Sequence, residues 1–294
     1  MATRMCGLLL VVLATSALEP PRKEPPAHLL ARYTMDGLVP LDRFYVDDTD
    51  EGAPTHYAFA KEDMDGFVQW AQLILDGNRG TARGGRPPRL RPVQKHLVMA
   101  LQKLRPHLAD ASALVFGTME PWVEVLLLTA GCKSVTTVEY NALTFEHDRL
   151  HTVLLDDFVP DATYDVAVAV SSFDHDGLGR YGDRLHPDGD LLAMRTAWAS
   201  LKPLSGRLLL GLPVGADLVV WNLHRRYGPH RLPRMLQGWQ EEDRFGWDDE
   251  RGAAASDHRI RHEPVFALRK NSSSVALPVE EPPPLPDEPS KDEL

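Results

Sequence analysis

The sequence predicts an α/β fold: a mostly parallel sheet with helices on both faces. Three observations point there. From Ser112 onward, apolar runs of four or five residues recur, each closing at Gly, Glu, Asp or Ser. Stretches of helical period separate them. The runs are continuous rather than alternating, as expected of strands buried on both faces. Crossovers between such strands are right-handed.

The elements follow in order. Residues 18–30 are proline-rich and read as a loose leader, and residues 31–60 show no clear period. Lys61 to Leu75 reads as an amphipathic helix with Met64, Phe67, Val68, Ile74 and Leu75 on its apolar stripe. Gly77 to Pro92 carries five arginines among glycines and prolines and reads as a loop. Its stretch from Arg79 to Arg91 is either solvated or faces an acidic glycan or phospholipid. Val93 to Leu108 reads as a second helix. Ala113 to Phe116 is a buried strand closed by Gly117. Pro121 suits the first turn of a helix running to Thr129, and Gly131 ends it. Ser134 to Val138 is β-branched and ends at Glu139. Thr152 to Leu155 ends at Asp156 and Asp157, and Val166 to Val170 at Ser171 and Ser172. Asp188 to Leu201 is a helix and Arg207 to Leu212 a fifth strand. Val265 to Leu268 reads as a late strand at the sheet edge.

Apolar content of 43% in 294 residues is enough for a sizeable core. The formal net charge is −10, and from Asn271 onward six acids face one lysine, so about half of it sits in the tail. That tail holds six prolines and reads as a disordered tether. No basic field argues for nucleic acid. Arg4, the apolar run Gly7 to Ala14 and the small residues Ala14 to Ala17 have the order of a signal peptide, with cleavage expected after Ala17. That run is far too short to span a bilayer, and no other stretch is a transmembrane candidate. Lys291-Asp292-Glu293-Leu294 is the retrieval tetrapeptide read by the KDEL receptor. Together the two ends predict the lumen of the endoplasmic reticulum. Cys6 would leave with the signal peptide, so Cys132 would be alone: a buried helix-end residue, or half of a mixed disulfide with a partner. Asn271-Ser272-Ser273 is a glycosylation sequon where the fold gives way to the tail.

In a parallel sheet of this kind the ligand sits outside the carboxyl ends of the strands. That rule selects Gly117 to Glu120, Glu139, Asp156 with Asp157, Ser171 to Asp176, and Leu212 to Gly215. Gly117 lets the backbone approach a ligand, and Glu139 sits where an acid accepts hydrogen bonds from ribose hydroxyls. Asp156 or Asp157 would take a donor from an adenine amine. Gly117, Glu120, Glu139, Asp156, Asp157 and Ser171 are therefore the cofactor-binding candidates. This constellation resembles the Rossmann-like fold of class I S-adenosylmethionine-dependent methyltransferases, which implies S-adenosylmethionine as cofactor. The first loop has one glycine where that fold commonly has two or three.

The segment Ser171 to Asp183 is dense in groups that move protons. His175 is the general-base candidate, because its ordinary pKa lies near ~6.5. Asp174 or Asp176 would orient its ring. Arg180, Tyr181 and Asp183 are substrate-binding candidates. So are His224, Arg225 and Arg226, suited to a phosphate, carboxylate or sugar, although the same block reads equally as a solvated helix face. A metal held by Asp174, His175, Asp176 and Asp183 fits no standard ligand spacing.

The same blocks resemble an uncharacterised family of unknown function known from nematodes, whose members look like distant class I methyltransferases. The match is carried by Gly117 to Glu124, Val135 to Tyr140, Gly177-Leu178-Gly179-Arg180-Tyr181-Gly182-Asp183, Gly189-Asp190, Leu201 to Pro203, Pro213 to Gly215, and Asn222 to Gly228 with Arg231. It covers roughly residues 60–270. By resemblance Gly117 and Glu139 are cofactor positions. Leu204-Ser205-Gly206 departs from the Lys-Pro-Gly-Gly turn common in methyltransferases, but it keeps Gly206 before the strand. The resemblance implies a lumenal O-methyltransferase acting on a glycan, a glycolipid or a secretory protein. Two alternatives stay open: a non-catalytic binding module, and a nucleotide-sugar-dependent glycan-modifying enzyme.

Overall fold

The computed structural model of the chain describes residues 21–50, 55–76, 90–252 and 262–274. The expected signal peptide, Cys6, most of the arginine loop (77–89) and the tail from 275 onward with its retrieval tetrapeptide lie outside the described residues.

The chain runs through α1 (Ala27–Tyr33), β1 (Leu41–Arg43), β2 (His56–Phe59), α2 (Lys61–Leu75) and α3 (Pro92–Leu108). It continues with β3 (Ser112–Phe116), α4 (Trp122–Ala130), β4 (Ser134–Glu139), β5 (Ala142–Phe145), β6 (Leu150–Leu154) and β7 (Val166–Val170). The last part holds α5 (Gly189–Ser200), β8 (Arg207–Gly211), β9 (Leu218–Trp221), β10 (His224–Arg226), α6 (Leu232–Leu236), β11 (Gln240–Phe245) and β12 (Val265–Arg269).

Seven strands form the central sheet in the order β6-β4-β3-β7-β8-β12-β11. The first five are mutually parallel, and β12 runs antiparallel to both β8 and β11. This is the 3-2-1-4-5 order of a Rossmann-like sheet extended by an antiparallel pair, and strand order reverses between β3 and β7. Alternate residues of one strand feed two cores. Ala113 and Val115 pack with α2, α3 and α4 on one face. Leu114 and Phe116 pack with Met194, Ala197 and Trp198 of α5 on the other. Every residue of β7 is buried, which its Val-Ala alternation allows between two helical layers.

Local chemistry fixes the helix ends. Pro92 opens α3, and the Gln94 side chain accepts the Arg91 N–H at 2.9 Å. Gly131, at φ +122°, ends α4 and donates to the Leu128 carbonyl.

Three expectations change. Val265–Arg269 is not the sheet edge: β11 lies outside it, and its sequence Gln-Glu-Glu-Asp-Arg-Phe hides a strand because an exposed edge needs charge rather than an apolar pattern. The leader is not loose over 21–30, because Arg22 accepts a hydrogen bond from the Trp221 indole, and Leu29 and Tyr33 of α1 are buried with Leu178 and Trp221. Residues 224–226 are neither a helix nor solvated: they form the buried strand β10, paired with β9 beside β1.

Candidate functional site

The carboxyl ends of β3, β4, β6 and β7 meet at one edge of the sheet. Gly117 leaves β3 at φ +67°, and a Cβ there would lie 2.1 Å from Ser172 Oγ. The glycine therefore makes room for the protein's own Ser172. Ser171, half-buried at φ +51°, donates its N–H to Gly211. The Thr118 hydroxyl closes the β3–α4 turn on the Glu120 carbonyl at 2.6 Å, and the Glu120 carboxylate is exposed.

Glu139 ends β4 and is 8% exposed. Its Oε1 receives two long contacts from Asn141, 3.3 Å from the backbone N–H and 3.4 Å from the amide. Burial outweighs those donors and pushes its carboxyl up to about 7. Asp156 and Asp157 lie exposed in a short 3-10 turn just past β6.

The loop after β7 is built differently. Asp183 is buried, and its carboxylate accepts the N–H groups of Gly177 (2.8 Å), Gly179 (3.0 Å) and Tyr181 (3.3 Å). Gly177, Gly179 and Gly182 all have positive φ, and a Cβ on Gly177 would strike the His186 carbonyl at 2.2 Å. The Tyr33 hydroxyl donates to the Gly177 carbonyl at 2.6 Å. Arg225 is 1% exposed and donates to the carbonyls of Asp176, His186 and Pro187. Behind it, Asp190 accepts from Arg231 and from the Tyr227 hydroxyl. Burial raises the Asp190 carboxyl, but Arg231 and Arg225 overcome that and hold it at about 2.

Within this loop His175 is 7% exposed. Its Nδ1 lies 2.5 Å from the Leu223 carbonyl. A carbonyl only accepts, so Nδ1 carries the proton, a tautomer assigned from its partner. Nε2 is then the atom able to take a proton, and Asp174 Oδ2 stands 3.5 Å from it. Asp174, not Asp176, is the carboxylate beside the imidazole. Asp176 has its carboxyl raised by burial and by the neighbouring charge of Asp183. Arg180 places Nε on Asp48 at 2.6 Å and its guanidinium over the Tyr181 ring, whose edge meets His175. The N-terminal segment thus crosses this edge. Asp48 holds Arg180, Asn222 bonds both the N–H and the C=O of Val46, and Asn141 accepts from the Thr55 N–H.

The geometry sorts the sequence-predicted residues. Gly117, Glu139, Ser171, Asp174, His175, Asp176 and Tyr181 gather around the switch point, with Asp156, Asp157 and Glu120 on its exposed rim. Three of the substrate-binding candidates have partners within the fold. Asp183 caps loop amides, Arg225 binds backbone carbonyls, and the buried Arg226 donates Nε to the Ala216 carbonyl at 2.7 Å. Each guanidinium or carboxylate faces the fold rather than a surface ligand. His224 is buried with its ring 6.4 Å from His175. Cys132 is 1% exposed, and burial, with the charge of Asp165, pushes its thiol up to about 12, which disfavours the thiolate. Asn271 is exposed, next to Ser272, whose carbonyl accepts from Leu204 N–H. Among the described residues no three His, Cys, Asp or Glu side chains are placed to hold a metal ion.

By resemblance, Glu124 belongs with Trp122 to the family's version of the first loop, which gives it no site role. It is fully buried in α4, where Thr137 Oγ1 donates to its Oε1 at 2.8 Å while Oε2 has no partner among the described residues. Burial pushes it up to about 7. A lone acid in Trp-Val-Glu-Val-Leu-Leu-Leu was the available signal.

The fold and this edge define a Rossmann-like α/β class of protein. The chain belongs to the family described as Caenorhabditis protein of unknown function, DUF268, whose model matches residues 110–275. Similar solved structures include the N-methyltransferase NodS from Bradyrhizobium japonicum (14% identity, 62% of this chain and 98% of that one, TM-score 0.42). TehB from Haemophilus influenzae is similar at 11% identity over 58% of this chain and 62% of that one, TM-score 0.40. An S-adenosylmethionine-dependent methyltransferase from Mesorhizobium loti is similar at 12% identity over 58% of this chain and 96% of that one, TM-score 0.34. No curated protein matches the chain.

Proposed function

We propose that this chain is an S-adenosylmethionine-dependent O-methyltransferase. One observation carries the reading: Glu139 is buried at the end of the strand beside β3, where Asn141 gives its Oε1 two long contacts of 3.3 and 3.4 Å and burial pushes its carboxyl up. Such a group gains from a ligand that brings two hydroxyls to it. The residues fit the adenosyl group on this count, with Asp156 and Asp157 at the β6 end available to an exocyclic amine. When bound, the cofactor supplies an electrophilic methyl group on a sulfonium. His175 would accept the hydroxyl proton of the acceptor at Nε2, and Asp174 would stabilise the imidazolium. We propose a lumenal acceptor, a glycan, glycolipid or secretory protein, with retrieval of the chain by the KDEL receptor; acquisition of a glycan at Asn271 in cells would report that compartment.

A second reading, a non-catalytic binder, has its own support: Ser172 fills the space beside Gly117, and Arg180 with Asp48 covers His175. The test is calorimetric titration with S-adenosylmethionine against wild type, Glu139→Gln and His175→Ala, each shown to be folded by circular dichroism. Saturable binding that Glu139→Gln weakens and His175→Ala retains is expected. Absence of binding at millimolar cofactor would end the methyltransferase reading, and binding with no transfer to any lumenal acceptor would favour the second. Binding of a nucleotide-sugar instead would point to the glycan-modifying alternative.

A further inference from the structure

A cavity of about 720 Å³ opens between α2, the start of α3, β2 and the Glu120–Trp122 turn. Its size suits a small organic ligand. Four aromatic rings wall it: Phe59, Phe67, Trp70 and Trp122, each half-buried against the core. Three carboxylates stand among them, from Glu62, Asp63 and Glu120, and among the described residues no lysine, arginine or histidine lines the cavity. Asp63 is partly engaged, accepting the Ala60 N–H at 3.2 Å. The Glu62 and Glu120 carboxylates make no hydrogen bond or salt bridge among the described residues, and the nearby Lys61 ammonium is held by Asp65.

Gly66 adds an independent observation. It lies inside α2, where glycine weakens a helix relative to alanine. Neither backbone nor crowding requires it: its φ is not positive, and a Cβ would meet nothing within 4 Å. It lines the cavity, so the absent side chain leaves the cavity open.

We propose that this cavity binds an organic cation, an alkylated ammonium group carried on an apolar body. Ring faces attract a cation through their quadrupoles, and unpaired carboxylates supply the opposite charge. A neutral ligand of the same shape would bury the same apolar area without either gain. The cavity touches the proposed methyl-transfer edge only through Glu120, and the proposal stands without that reading.

The probe is phenyltrimethylammonium, compared with its neutral isostere tert-butylbenzene, on the full chain by calorimetry and saturation-transfer NMR. Saturable binding of the cation is expected, tighter than the neutral compound by roughly threefold or more. Gly66→Leu, at an exposed helix position with open space, should abolish it. The Glu62→Gln, Glu120→Gln double variant, at exposed positions that keep the fold should Gly66→Leu lose it, should weaken the cation and leave the neutral compound unchanged. Equal binding of the two probes, no binding at millimolar cation, or undiminished binding to folded Gly66→Leu would overturn the proposal. Titrating S-adenosylmethionine into Gly66→Leu separates the two sites, because that titration should match wild type.

Discussion

The loop after β7 with the start of α5, and the stretch from α4 to the end of β4, treat their buried carboxylates differently. Asp183 collects three loop amides, and Asp190 is held by Arg231 and Tyr227. Glu124 and Glu139 are also buried, but among the described residues one has an oxygen without a partner and the other receives two long contacts from Asn141. The first region is a scaffold that gives Asp183 and Asp190 several donors each, although burial still raises Asp183. In the second, Glu139 at the strand end holds charge demand where a ligand would sit, while Glu124 holds it inside the core.

The contrast breaks most visibly at Arg231. Arg231→Met leaves Asp190 buried without its main partner and should cost about 3–5 kcal/mol in urea unfolding. Adding Asp190→Asn should recover much of it, because the stranded charge is gone. A loss below about 1 kcal/mol would mean the network is not a scaffold. The next effect belongs to the other region. Glu124 and Glu139 are raised from an ordinary 4.5 to about 7, so the folded protein favours their protonated forms. Their stabilisation is complete below about pH 4.5 and is lost as pH rises through about 7. The loss is roughly 3 kcal/mol for each carboxyl. Melting temperature followed across that window should fall with pH, and Glu124→Gln should remove its share of the slope. An unchanged slope in the variant would mean that Glu124 finds donors the structure does not give it.

Sequence and structure agree best where burial dictates the pattern. The strands Ser112–Phe116, Ser134–Glu139 and Val166–Val170 are buried on both faces, so apolar runs located them within a residue or two, whereas Ala142–Phe145 had no such run and went unread. Strand ends then pointed to Glu139 and His175. What stayed hidden depends on contacts distant in sequence: Asp48 with Arg180, Asn222 with Val46, Arg225 with Asp176. The Gly-Leu-Gly-Arg-Tyr-Gly-Asp block stands out in sequence because its backbone is unusual, and three of its residues proved to be turn glycines and one an amide cap. Its distinctiveness reports geometry rather than chemistry. Gly177→Ala tests that directly. Positive φ and a backbone carbonyl 2.2 Å from the new Cβ should together cost about 2 kcal/mol or more.

Gly66 supplies the smallest effect and the sharpest control on that argument. It shares its residue type with Gly177 and nothing else: it is helical, exposed, and open where a Cβ would go. Gly66→Ala should therefore stabilise the protein by up to about 1 kcal/mol, the helix propensity difference, in the same urea measurement. Opposite signs at 66 and 177 would separate a glycine required by the backbone from one that leaves space. A destabilised Gly66→Ala would remove that distinction, and with it the case that the gap in α2 is kept for a ligand.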